Sequence, residues 1–242
     1  MENLNFLNTH VWKPFARITN SAWLYVNSHT IQDTWVVMGV ITLLCLIGRY
    51  ALSRKGGILQ HIVLQLVEQF RTMVIQTLGT ASRAHTAFIT SLFIFIMICN
   101  TITIVPYVEE PTSDINTTIA LALISFIYVQ AYIIITHGIK GYITDYFKPF
   151  FVMFPLNIMG RLSSVISLAF RLFGNIFGGA VISKIYLAAI SGSLFFELFG
   201  IFTGLNFIIV LFFGLFEGFL QAFVFTMLTL TNLAIGVQGE FE

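Results

Sequence analysis

Charge is what this chain is shortest of. Lys, Arg, Asp and Glu make up 10% of its 242 residues, and twelve basic against eleven acidic side chains leave a formal net charge of +1. That balance gives no signal for nucleic acid or for an acidic substrate. Cysteine is scarce as well: Cys45 and Cys99 both stand in apolar runs, so thiols buried in lipid or helix packing are expected, not a disulfide or a metal site. There is no Gly-rich phosphate loop and no nucleotide motif, so no bound nucleotide, nucleic acid or cofactor is expected. A cleavable signal peptide is also missing by eye, since the first 34 residues mix Lys13, Arg17 and Asp33 with no long apolar core. Insertion is then expected to rest on the membrane segments themselves.

What fills the chain is apolar. Hydrophobic residues reach 57% with 26 Phe, and the mean hydropathy is +0.89. Such a composition excludes an ordinary soluble domain and defines an integral membrane protein. In chain order, 1–34 reads as a polar and aromatic lead-in on the outer side, with a short interfacial helix around Trp12 to Tyr25, and 35–242 as a single membrane domain. Thr34 to Gly48 is uncharged, closes at Arg49, and gives the first span once flanking residues extend it toward the ~20 a bilayer needs.

Ser53 to Arg83 changes character, with Arg54, Lys55, Arg71 and Arg83 among polar residues. Between Ile58 and Leu78 the apolar positions Leu59, Ile62, Val63, Leu66, Phe70, Met73, Val74 and Leu78 recur at helical spacing, while Gln60, His61, Glu68, Gln69, Thr72 and Gln76 take the other face. That is an amphipathic helix lying in the interface. Its basic residues put it inside, on the cytoplasmic or matrix side. Thr86 to Val108 carries no charge and crosses outward to Glu109-Glu110-Pro111-Thr112-Ser113-Asp114, a loop without Lys or Arg. Ile115 to Ile139 returns, ending near Lys140 and Lys148, which repeats the same asymmetry. Two long apolar stretches follow, at about 155–190 and 197–238, and their length requires tilt or a kink. The fold class expected is therefore an all-α polytopic membrane protein, about five membrane helices plus one interfacial amphipathic helix.

Two positions in those last stretches stand out chemically. Arg171 is the one charged residue from Leu162 to Ser183, and a cation at mid-membrane costs roughly 3 kcal/mol on insertion scales. With about ten apolar or small residues on either side it cannot readily snorkel, and a guanidinium does not shed its charge. Either it neutralises a buried carboxylate of this chain or it acts on something that crosses the membrane. On the last stretch, Glu217 and Gln221 are four residues apart and share a face; an acid that takes and gives a proton beside an amide that bonds either form suits proton hand-off. A permanent Glu217–Arg171 pair is the alternative. Gly174 with Gly178, and Gly214 with Gly218, offer bare strips for close helix approach, within this chain or against a partner.

Ser167 to Gly178 (SLAFRLFGNIFG) resembles the penultimate helix of the membrane-embedded a subunit of F-type ATP synthases. Leu220 to Leu230 (LQAFVFTMLTL) resembles its last helix, and Pro111 to Leu123 (PTSDINTTIALAL) its outer loop and following span. Order and spacing agree from about Trp35 to Gly236. The resemblance implies a non-catalytic, proton-translocating stator subunit, with the last two helices strongly tilted against a rotor ring of c subunits and with peripheral-stalk b subunits as further partners. It implies that Arg171 faces the ring carboxylates, that Asn175 and Gln221 are its polar partners, and that Ser167, Asp114 and Glu217 lie near the two half-channels. The membrane is expected to be a bacterial inner (plasma) membrane or a mitochondrial inner membrane. Two departures are visible: Ala180 stands nine residues after the arginine, where many relatives have Glu or His, and Met159-Gly160-Arg161 replaces acidic residues common before it. The first makes Glu217 the leading outer relay; the second leaves the inner outlet unassigned. A transporter binding an anion or quinone at Arg171 is the rival from another class, and it should show an internal repeat, which the sequence lacks.

Overall fold

The computed structural model describes residues 11–12, 26–53, 56–102, 110–147, 150–190, 208 and 211–238. Six long helices carry the fold: α1 Ser28–Ser53, α2 Ile58–Leu78, α3 Arg83–Thr101, α4 Ile115–Asp145, α5 Phe154–Ile190 and α6 Glu217–Gln238. Short 3-10 turns, Pro111–Ser113 and Phe151–Met153, lead into α4 and α5. Five segments are long and apolar enough to cross a bilayer: Thr30–Ser53, Arg83–Thr101, Ile115–Thr144, Phe151–Tyr186 and Leu211–Val237. The fourth runs to 36 residues, well beyond the ~20 of a perpendicular crossing, so it must tilt. The chain is a multi-pass integral membrane protein.

The helix ends follow from local chemistry. Ser82 caps α3 by accepting from the His85 amide, and Asp114 caps α4 by accepting from the Asn116 amide. α2 spans the bounds its periodicity predicts and stops at Gly79, whose φ of 71° is left-handed. Phe70, Val74 and Leu78 on its later half are buried, whereas Ile58, Leu59 and Ile62 stay exposed. An apolar face left open over its first turns suits a helix lying on lipid.

Several bounds differ from the sequence reading. The first span begins at Ser28, ahead of Thr34. Trp12 is extended, pairing with Val26 in a two-residue antiparallel ladder, so the lead-in helix does not start there, and 13–25 lie outside the described residues. The first outward crossing ends its helix at Thr101, with 103–109 outside the described residues. α4 continues beyond Ile139 but changes direction at Gly138, whose φ of 72° and ψ of 164° are reserved for glycine. Finally, the last stretch is not one uniform α-helix: Leu211–Phe216 is π-helical and passes into α6 at Glu217. Glu197, 191–207 and the C-terminal 239–242 lie outside the described residues.

α6 is the centre of the bundle. It packs most extensively on α3 and then on α4, while α4 packs on α5. Phe225, Leu230, Leu233, Ile96 and Leu172 are fully buried in the shared core. Lipid is as apolar as these side chains, so their burial alone does not hold helices together; close packing and buried polar bridges must. One bridge ties three elements: the Thr112 hydroxyl donates to Asn100 Oδ1 at 2.8 Å, and Asn100 Nδ2 donates to the Gly218 carbonyl at 3.3 Å. A Cβ on Gly218 would lie 3.0 Å from Asn100 Cβ, so glycine there lets α3 and α6 close. A second bridge joins α3 to α4 through His85 Nδ1 and the Tyr128 hydroxyl at 2.8 Å.

Candidate functional site

Ser167, Arg171 and Asn175 follow one another at four-residue intervals and form a single strip along α5. All three are exposed, and so is Gly174 beside them. A Cβ added at Gly174 or Gly178 would meet nothing within 4 Å. The Gly174/Gly178 strip is therefore left uncovered by the described residues of this chain. Gly218, in contrast, is consumed inside the chain against Asn100. No ion pair joins Arg171 to Glu217, so the charge on α5 is not spent on the carboxylate of α6.

The strip is tied to α6 at one point. Asn175 Nδ2 donates to Gln221 Oε1 at 2.6 Å. Gln221 is 2% exposed, and its own amide nitrogen has no partner among the described residues. A buried amide donor left open beside Asn175, itself one turn from Arg171, is costly in a neutral resting site and able to bond an oxygen brought to it. Glu217 sits one turn earlier on α6, half-buried. Its Oε2 lies 3.3 Å from where a Cβ of Gly179 would be, and the Phe213 ring lies 3.0 Å from the same point. Glu217 thus rests against bare α5 backbone. The π-turns of Leu211–Phe216 immediately precede it, and such widened turns re-phase a helix and recur at functional sites.

At the opposite end of α4 from Gly138, Asp114 does two things. Its Oδ1 accepts from the Asn116 amide and side chain at 2.9 and 3.0 Å, and its Oδ2 accepts from the Thr30 hydroxyl at 3.4 Å. It also lines a cavity of about 290 Å³ with Thr30, Asp33, Glu110, Ser113, Ile115 and Phe173. Phe173 is two residues from Arg171, so this acidic pocket reaches α5 at about the level of Arg171 but on a different side of the helix from the strip. Sequence reasoning named Asp114 but passed over Asp33, Glu110 and the Asn100–Thr112 bridge. Asn100, a lone amide at the end of a charge-free run, was the available signal for that bridge.

The geometry defines a polytopic membrane protein that presents one fixed cation on an uncovered transmembrane face, with an amide pair and a carboxylate behind it. The profile of a known family, the ATP synthase A chain, matches residues 32–233. ATP synthase subunit a of Moorella thermoacetica is 32% identical over 87% of this chain and 91% of the relative, and that of Desulforamulus reducens is 31% identical over 96% and 88%. A shorter match, 39% identical over 62% of this chain, is to ATP synthase subunit a 2 of a Picosynechococcus species. The chain belongs to the ATP synthase A chain family.

Proposed function

We propose that this chain is the stator subunit through which an ATP synthase of a bacterial plasma membrane couples proton flow to rotation of a ring of c subunits. The observation that supports this most is Arg171, exposed on a face of α5 that the described chain leaves uncovered. A partner that supplies carboxylates to that face would satisfy the cation, and the cation would hold each carboxylate ionised as it passes. The same charge repels protons, so an outer and an inner path meeting at Arg171 are not short-circuited. A proton must protonate a ring carboxylate on one side, travel round through lipid as the neutral acid, and leave on the other.

The outer path runs from the pocket of Asp33, Glu110 and Asp114 toward Glu217, then along Gln221 and Asn175 to the ring. Glu217 is the titratable relay, and Gln221 the amide that orients the arriving carboxyl. Ala180 leaves α5 without an ionisable group at the position where many members of the family it resembles have Glu or His; Gly179 beside it admits the Glu217 carboxylate from α6 instead. The chemistry is kept and its backbone of origin changed. Ser167, one turn before Arg171, borders the ring path on the inner side, and peripheral-stalk b subunits hold the chain against rotation.

The test is composition of the native assembly. An affinity-tagged chain extracted in mild detergent should bring down a small two-helix membrane subunit bearing a carboxylate in its apolar segment. A chain that purifies from intact membranes without such a subunit would overturn the proposal.

A further inference from the structure

Toward the outer side α1 closes on α3, where Val37, Cys99 and Ile102 are buried together against Ile41 and Phe95. Inward of that contact a cleft of about 1220 Å³ opens between α1, α2, α3 and the side of α4. On α3 its wall runs from Arg83, the first residue of the helix, to Phe95. Those twelve steps rise roughly 18 Å, close to the ~15 Å of hydrocarbon in one leaflet. Ile41 and Phe95 belong both to the cleft and to the Val37 contact. The cleft is therefore about one leaflet deep: it opens at the inner face, where α3 begins, and is closed near mid-membrane.

The charged groups of the described lining all stand at the inner mouth: Glu68 and Arg71 on α2, and Arg83 on α3. Two guanidinia thus face one carboxylate. Arg71 Nη1 donates to the two Glu68 oxygens at 3.4 and 3.3 Å, and both side chains are more than half exposed. A pair this long and this well solvated is weak, and it leaves most of the five-donor fork to a second acceptor. Beyond the mouth the wall carries no charge; α1 and α4 contribute Met38, Ile41, Cys45, Leu121 and Ile124. Thr86, Thr90 and Ser91 turn their hydroxyl hydrogens back to the Ser82, Thr86 and Phe88 carbonyls at 2.9, 2.7 and 2.9 Å. Arg83, Ala87, Ser91 and Ile94 follow one face of α3, and the small, exposed Ala87 and Ser91 keep that face open along its length.

We propose that this cleft seats one anionic phospholipid of the inner leaflet, with its phosphate held by Arg71 and Arg83 and an acyl chain lying along Ala87 and Ser91 toward Phe95. An acyl chain gains nothing by leaving lipid for an equally apolar wall, so headgroup charge decides which lipid stays. Guanidinium groups match phosphate oxygens two at a time. The depth favours a lipid over the membrane helix of another subunit, which needs about 20 residues through both leaflets and would meet the closed Val37 contact halfway. Neither arginine belongs to the Arg171 strip, so lipid binding and coupling can fail separately.

The experiment uses the whole synthase in nanodiscs of phosphatidylcholine that contain a small fraction of phosphatidylglycerol with a photoactivatable group near the end of one acyl chain. After illumination and digestion, the label should fall on cleft residues such as Ile41, Ile94 and Phe95, and the same probe built on phosphatidylcholine should label them far less. Arg83→Gln and Arg71→Gln should each cut the labelling about five-fold, whereas Glu68→Gln should raise it. A merely structural role for these side chains would not give that opposite sign. Competition on the unaltered protein needs no variant: unlabelled phosphatidylglycerol should displace the probe, and equal concentrations of phosphatidylcholine or inorganic phosphate should not. Equal labelling by both headgroups, displacement by inorganic phosphate, unchanged labelling in assembled Arg83→Gln, or a cleft that crosslinks to another subunit's helix in place of lipid overturns the inference.

Discussion

At the residue scale the structure separates two ionisable groups that a sequence could have paired. Arg171 and Glu217 make no ion pair, and Glu217 instead lies over Gly179. Glu217→Gln should suppress proton flux strongly with the complex assembled, and Ala180→Glu in that background should restore part of it, because the new carboxylate starts from the residue next to the one Glu217 touches. Passive proton conductance of membranes stripped of the soluble sector checks both, and wild-type flux in Glu217→Gln would make Glu217 a packing residue. Gly179→Ala is a subtler probe. Its methyl would stand 3.0 Å from Phe213 and 3.3 Å from the Glu217 carboxylate, tighter than an unmoved neighbour tolerates, so flux should fall while assembly persists. Much of this site was readable beforehand, since a charge without company in an apolar run and an acid–amide pair at four-residue spacing are strong signals. Gly179 was not: which glycine receives a neighbour's carboxylate depends on the rotation of α6, and the π-turns of Leu211–Phe216 that set it have no plain sequence mark.

At the element scale the helices that periodicity and charge delimit are the ones observed, and the departures fall where backbone geometry decides. α2 was fully legible because its two faces differ. α4 was legible as a span, but its break was not, because Gly138 is a glycine in a long apolar helix like several others. Its φ and ψ lie where other residues pay of order 1–3 kcal/mol, and nothing crowds a Cβ there. Gly138→Ala should therefore lower the melting temperature of the detergent-solubilised complex through conformation alone. A melt equal to the wild type would show that the break is not needed. The Asn100 bridge predicts a larger effect: Asn100→Leu leaves the buried Thr112 hydroxyl unpaired and crowds Gly218, at a cost of about 1–3 kcal/mol for the orphaned group. The same melt measures it, and an unchanged midpoint would remove the bridge from the account of what holds α3 to α6.

On the scale of the whole molecule, two cavities at opposite ends of α4 differ in their charged lining. Asp33, Glu110 and Asp114 share the pocket beside the start of α4, while Arg161 and His137 line the cavity at the far end. With basic residues inside, Ser113 lies outside and Ser53 inside, so single cysteines at these two positions should react with an impermeant reagent from opposite sides. The central claim is that Arg171 is an electrostatic barrier on an otherwise intact scaffold. ATP-driven proton pumping by assembled Arg171→Ala and Arg171→Lys complexes tests it most directly. The alanine variant should assemble in wild-type amount and pump nothing, and the lysine variant should be severely impaired, since an ammonium lacks the guanidinium's multi-donor fork. Near-normal pumping by either would contradict it.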